Sequence, residues 1–520
     1  MSENPVAGRR TPPRASADAP RPPASAVPGA AFDATPEDIH AAGLLALEAL
    51  ERHWQSISAR PVVPSVTPRE LDALFDEPLP EGPAPLADVV REAIAKLEPH
   101  VTALGHPRFF AFVNPGTNAA SPPAELLAAA YNQNLGAWRN SPAGTHLEKR
   151  VMRWLAEIVG LPPGAGGILV SGGTMASQAA LGAALRARAP WDVRRLGLQA
   201  GPGPLTVYAS EEVHRCVVKS AGLLGLGEEH VRLTPVDRHF RADVRAMRDF
   251  LTRDRKAGAV PLAIIGSAGT VNSGAVDPLD ALADLAAEEG LWFHVDGAYG
   301  GLAALAPSAQ PLLAGMERAD SIAIDPHKWL FVPYEAGACL LRDPELLRKA
   351  YGGAASYMRE DKDALAAEGE RTDLFEYGPQ LSRGFRALKV WMSLKTYGRR
   401  AYADAIEEHC RLARLLDEKI RQHPNFELCS EAQLSISCFR WLPPGPRPDP
   451  DTLDRIQERL ALALERSGEA FMSGTRLAGR SVLRTCILSF RTRESDLDAL
   501  LESLDRLGHE LSDTSRGTRP

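Results

Sequence analysis

Lys328 stands in Asp325-Pro326-His327-Lys328-Trp329, directly after the apolar run Ser321-Ile322-Ala323-Ile324. Burial disfavours an ammonium, so an amine at such a place has a depressed pKa and can attack a carbonyl carbon. Alone, the position also reads as a solvated loop lysine. Asp296 ends a second apolar run, Phe293-His294-Val295, and is followed by Gly297-Ala298-Tyr299-Gly300-Gly301. A carboxylate there can be a metal ligand, a general base or the partner of a ring nitrogen, or simply a helix N-cap. Ile168-Leu169-Val170-Ser171-Gly172-Gly173-Thr174 leads from a strand through glycines into a helical pattern. Free N–H groups and the helix dipole make such a turn an anion cradle. It lacks the lysine of a P-loop and the spacing of a dinucleotide fingerprint, and a tight turn without ligand would look the same. His214, in Ser210-Glu211-Glu212-Val213-His214, could stack on a flat ring or move a proton, or be merely solvated.

The elements that must position these residues are short. Strand candidates are Gly167–Ser171, Leu205–Ala209, Leu262–Ser267, Trp292–Val295, Ser321–Ile324 and Ala338–Arg342. Helical patterns such as Met175–Ala189, Asp243–Arg255 and Leu279–Glu289 separate them. This alternation implies parallel pairing in an α/β sheet. All four candidates then sit at carboxyl ends of strands, where ligands of such sheets bind. Residues 1–35 read as a disordered, Pro- and Ala-rich tail, 36–120 as a helical segment opened by Thr35-Pro36-Glu37-Asp38, and 121–397 as the large domain. A smaller α+β domain follows at 398–510, with helices Tyr402–Gln422, Asp451–Ser467 and Glu494–Leu507 and strands Leu434–Arg440 and Arg480–Phe490, before a tail at 511–520.

Composition narrows the function classes. The 59 Lys and Arg against 66 Asp and Glu exclude a general electrostatic nucleic-acid binder. No apolar run is long enough for a membrane span. The six cysteines are scattered without zinc spacing, so no metal and a cytoplasmic, reducing location are expected. An amine nucleophile, an anion cradle, an acid for a heteroaromatic nitrogen and a ring to stack are together the needs of pyridoxal 5'-phosphate.

The strings SGGTMAS, SEEVHRCVVKSA, HVDGAYGG and DPHKWL resemble the group II pyridoxal-phosphate-dependent amino acid decarboxylases, from about residue 40 to 508. The resemblance implies an aspartate-aminotransferase-like (type I) fold with a mainly parallel central sheet, usually a homodimer with its active site at the interface. It implies Lys328 as the Schiff-base lysine, Asp296 at the pyridine nitrogen and His214 over the ring. Gly172, Gly173, Thr174, Thr270 and His327 would complete the cofactor site. Asp325 stands where some members have Asn, and a charged carboxylate is a poor neighbour for phosphate. Tyr357, after Gly352-Gly353 in a charged stretch that suits a mobile lid, falls where the family's loop tyrosine protonates the α-carbon. Relatives with phenylalanine there form aldehydes.

Phe109, Phe110 and Phe112, in His106-Pro107-Arg108-Phe109-Phe110-Ala111-Phe112, resemble the segment lining the substrate pocket and imply an aromatic L-amino acid. Arg108 keeps an acidic substrate in play. Arg484 could bind an α-carboxylate and keeps an aminotransferase in play. Gln380-Leu381-Ser382-Arg383-Gly384-Phe385 resembles the segment that reaches the partner's phosphate site. A binding protein that has lost catalysis is the reading from another class, and the presence of Lys328, Asp296, His214 and Tyr357 together argues against it.

Overall fold

The computed structural model describes residues 32–353 and 371–516, with side chains through 512; Tyr357 lies outside the described residues. The chain divides into Met1–Ser56 with Val66–His100, and Ile57–Ser65 with Val101–Pro520. The first unit holds the helices Pro36–Ser56, Pro68–Leu74 and Leu86–Leu97. The start signal at Thr35 works as expected: its hydroxyl accepts the Asp38 N–H at 3.1 Å. Ala42 is the one buried residue of the first helix, and the other two bury none.

The second unit is built on a seven-stranded sheet: β1 (Gly166–Val170), β2 (Leu205–Ser210), β3 (Val231–Thr234), β4 (Val260–Ser267), β5 (Trp292–Asp296), β6 (Ser321–Ile324) and β7 (Gly337–Leu341). Their order is β1-β7-β6-β5-β4-β2-β3. Strands β2 to β6 pair in parallel, as alternation with helices requires. The expectation of parallel pairing fails for β7, which runs antiparallel to both β6 and β1. The β6–β7 connection holds only the one-turn helix Pro326–Trp329, too little for a crossover, so the chain turns straight back. Lys328 lies on that turn.

Side chains alternate across the sheet. Ile264, Phe293, Val295, Ile322 and Leu340 join one core, and Ile265, Trp292, Ala323, Cys339 and Leu341 the other, under the helix Gly173–Arg188. A second, wholly antiparallel sheet follows: β8 (Phe426–Ser430), β9 (Ile436–Trp441), β10 (Ser473–Leu477) and β11 (Arg480–Cys486), in the order β10-β11-β9-β8. The long helix Arg386–Gln422, kinked at Gly398 (φ +68°), runs between the two sheets' cores.

Candidate active site

A cavity of about 580 Å³ opens at the carboxyl ends of the parallel strands. Ser171, Gly172, Gly173, Thr174, His214, Asp296, His327 and Lys328 all line it, so residues scattered from 171 to 328 meet in one place.

The anion cradle follows from backbone rules. The helix Gly173–Arg188 has no side-chain cap at Gly172, and its first bond is Ala176 N–H to Gly172 O at 3.0 Å. The N–H groups of Gly173, Thr174 and Met175 precede that bond, and all three residues line the cavity. A Cβ on Gly173 would stand 2.9 Å from Ala298 Cβ and 3.3 Å from Asp325 Oδ2, so the turn admits no side chain.

The lysine is held differently from what burial alone implies. Its Nζ lies 3.0 Å from Asp325 Oδ2, and the lysine side chain is 20% exposed. Burial works to lower the amine's pKa, but the Asp325 charge and hydrogen bond, with the field of Asp296, raise it above the ordinary lysine value. The expected depression is therefore reversed, because Asp325 supplies a buried counter-charge. Burial pushes Asp325 up in turn, but Lys328 and His327 outweigh it and hold it below the usual carboxylate range. His327 Nε2 lies 3.4 Å from Asp325 Oδ2, while its Nδ1 accepts the Ala336 N–H at 3.1 Å.

Asp296 takes the Ala298 N–H on Oδ1 at 3.2 Å and the Cys216 thiol on Oδ2 at 3.6 Å. His214 is the N-cap of the helix Arg215–Leu223, its Nδ1 accepting the Cys216 N–H at 3.2 Å. The ligating atoms of His214, Cys216 and Asp296 lie within 4.8 Å of one another. The histidine ring thus stands close to the carboxylate.

Several sequence candidates do not line the cavity. Thr270 is buried, its hydroxyl 3.0 Å from Ser273 Oγ and accepting the Ala275 N–H at 3.2 Å; its neighbours Gly269 and Val271 line the wall instead. Phe109 packs edge-on to Phe471 at 5.5 Å, and Phe110 is buried in the core of the C-terminal sheet. These two belong to an extended segment pinned at both edges: Phe110 N–H donates to Phe471 O at 2.7 Å and Cys486 N–H to Phe110 O at 2.8 Å. Only Phe112 of the three phenylalanines reaches the cavity, where φ +54° turns the chain outward. Arg108 does not line it, and its charge acts on Glu469. Arg383 is buried against Glu148 and the Leu169 carbonyl.

The sequence reading passed over Asn272, Tyr334 and Ser473-Gly474-Thr475, which also form the wall. Tyr334 stacks at a tilt on His327, 4.5 Å between centroids, and donates to Asn114 Oδ1 at 2.7 Å. Ser473-Gly474-Thr475 arrive on β10 from distant sequence, whereas Asn272 and Tyr334 follow Thr270 and Lys328 closely but stand in loops with no pattern of their own. Arg484 donates to the carbonyls of Val271, Asn272 and Phe112. Its Nη2 is buried without a partner among the described residues.

The residues fit pyridoxal phosphate. There is an amine for the aldehyde, an uncapped helix terminus for the phosphate and a carboxylate for the ring nitrogen, with one further buried acceptor, Asp325 Oδ1, unpartnered among the described residues. Fold and site together define a pyridoxal-phosphate enzyme. The pyridoxal-dependent decarboxylase conserved domain matches residues 68–442. An aromatic-L-amino-acid decarboxylase of Bacillus atrophaeus is 32% identical over 476 residues, 92% of this chain and 96% of that protein. A phenylacetaldehyde synthase of Arabidopsis thaliana is 31% identical, covering 88% of this chain and 93% of that one. The crystal structure of Oryza sativa TDC with PLP and tryptamine superposes with a TM-score of 0.85 at 29% identity, over 92% of this chain and 99% of the other. The chain belongs to the group II pyridoxal-phosphate-dependent decarboxylase family, and its enzyme class is that of the amino acid carboxy-lyases. Among the described residues no helix is long and apolar enough to cross a membrane.

Proposed function

We propose that the enzyme decarboxylates an aromatic L-amino acid to its amine and carbon dioxide. The observation that carries the substrate class is the cavity wall. Phe112, Val113 and Tyr334 supply apolar and aromatic surface, while the basic groups present, Lys328 and Arg484, are engaged by Asp325 and by backbone carbonyls. Among the described residues Arg484 is the one arginine that lines the cavity; its single unpartnered Nη2 is taken up by the substrate's α-carboxylate, which leaves none for a carboxylate side chain, and Arg108 does not line the cavity. Relatives that act on aromatic substrates support the same reading.

Bound pyridoxal phosphate supplies the electron sink for the pair released when the bond from Cα to the carboxylate breaks. Lys328 would hold the cofactor's aldehyde carbon, the Gly172–Thr174 turn its phosphate, and Asp296 the proton on its ring nitrogen. His214 would cover the ring. Arg484 Nη2 offers one N–H to a substrate carboxylate. Tyr357 would return a proton to Cα.

A second reading has an observation in its favour: phenylacetaldehyde synthases are among the relatives. Tyr357 separates the two. Incubating the holoenzyme with the twenty amino acids and analysing products by mass spectrometry should give an aromatic amine. An acidic amino acid as the preferred substrate, or an aldehyde with ammonia and peroxide as main products, would overturn the proposal. Tyr357→Phe should move products toward the aldehyde.

The assembly we propose is a homodimer. The helices of the first unit leave Leu44, Leu47, Val89 and Leu97 exposed with almost no core of their own, and a second copy is the partner that the resemblance implies. Sedimentation should give twice the chain mass; a monomer would refute it.

A further inference from the structure

Five buried groups stand in file behind Asp296. Trp292, His294 and Asp296 alternate along β5 and so share one face. On that face the indole Nε1 of Trp292 donates to Ser321 Oγ at 2.8 Å, and Ser321 is the register partner of His294 on β6. Ser321 Oγ lies 2.8 Å from His294 Nδ1, and His294 Nε2 lies 3.4 Å from Ser177 Oγ on the helix Gly173–Arg188. Ser177 Oγ lies 3.9 Å from Cys216 Sγ, and the thiol lies 3.6 Å from Asp296 Oδ2. All five are at most 4% exposed.

The two ends fix the direction of every link. An indole N–H can only donate, and an ionised carboxylate can only accept. The Cys216 proton goes to Asp296, so its sulfur accepts from Ser177. The Ser177 proton is thereby spent, so Ser177 accepts from His294 Nε2. His294 is neutral, since burial pushes its pKa down to about 4, and Nδ1 is then a bare acceptor for the Ser321 hydroxyl. Ser321 finally accepts from Trp292. Each donor polarises the next in a medium of low dielectric.

We infer that Cys216, Ser177 and His294 are positioning residues that keep Asp296 a pure hydrogen-bond acceptor, so that the proton shared with the cofactor's ring nitrogen stays on the ring. The inference rests on the assignment of Asp296 to that nitrogen. The chain's terminal donor is a thiol, a weak one, so a stronger or absent donor at position 216 tunes the carboxylate's pull on the shared proton.

The test uses holoenzyme carrying cofactor with an isotope-labelled ring nitrogen, whose magnetic resonance shift reports protonation. Cys216→Ala should move the signal toward the unprotonated ring, weaken cofactor binding, and lower kcat about tenfold with KM within about twofold. Cys216→Ser should restore all three. Ser177→Ala, two links away and leaving the thiol in place, should shift the signal the same way by less. Asp296→Asn is the control. If it moves the signal and Cys216→Ala does not, the relay is overturned; if Asp296→Asn itself leaves the signal unchanged, the assignment beneath it fails instead.

Discussion

The pKa of Lys328 is held above the ordinary lysine value chiefly by one neighbour, with Asp296 adding to it. Asp325 offers Oδ2 at 3.0 Å, the one ion pair of that amine among the described residues. Removing that charge leaves burial as the dominant influence, and burial favours the free amine. Asp325→Asn should therefore lower the lysine's pKa. The rate at which the apo-protein takes up pyridoxal phosphate, followed by absorbance across pH, should reach its plateau at a lower pH in the variant. An unchanged midpoint would mean that the ion pair does not control the amine. At the same scale lies the reason why this site was only half legible. The motif letters placed Lys328, Asp296, His214 and the glycines around one cavity, because each ends a strand. They could not show that Asp325 turns inward, since a one-turn helix such as Pro326–Trp329 sets side-chain direction by tertiary contacts and not by pattern.

Among the elements, β7 comes close against the cradle. A Cβ on Gly337 would stand 2.4 Å from Gly172 Cα, backbone against backbone, with no flexible side chain to give way. Gly337→Ala should cost about 1–3 kcal/mol of stability by overpacking and weaken cofactor binding, because the turn must move off its anion-holding position. Urea unfolding of the apo-protein and cofactor titration would measure the two effects. Cofactor affinity equal to that of the parent would show that the turn does not hold the phosphate. The same crossing explains what the alternation of elements missed. Strands buried on both faces read as apolar runs whichever way they point, so direction had to be inferred from connection length. That logic works for β2 to β6, where helices intervene, and fails for β7, where a tight connection brings the chain back. Short or half-exposed strands such as Val231–Thr234 and Ser473–Leu477 carry too little apolar pattern to stand out. Phe109 and Phe110 misled for a related reason: three aromatics in four residues look like a pocket wall, yet in an extended segment alternate side chains face opposite ways, and both of these are claimed by cores.

Across the whole molecule, buried titratable groups set the response to acid. Burial pushes His106, His294 and His409 down to about 4, and pushes Asp277 and Asp417 up to about 6. The two sets act in opposite directions. A histidine whose folded pKa is depressed contributes stability that is complete above its unfolded value and is lost as pH falls through about 4. A carboxylate whose folded pKa is raised contributes stability that is complete below its unfolded value and is lost as pH rises through about 6. The three histidines outnumber the two acids displaced to a comparable extent, so lowering the pH from near neutral to about 4.5 should reduce the urea midpoint of the apo-protein. Asp417 tests the balance. Its Oδ2 accepts the Ala432 N–H at 2.7 Å, a bond an Asn carbonyl keeps, while Oδ1 has no partner among the described residues. Asp417→Asn removes a buried charge at neutral pH and nothing at acid pH. The variant should exceed the parent by about 2 kcal/mol at pH near 7.5 and match it near pH 4, making its acid transition the steeper. Equal stability at both pH values would show that Asp417 is solvated in the folded chain, and that the helix Arg386–Gln422 does not bury it between the two sheets' cores.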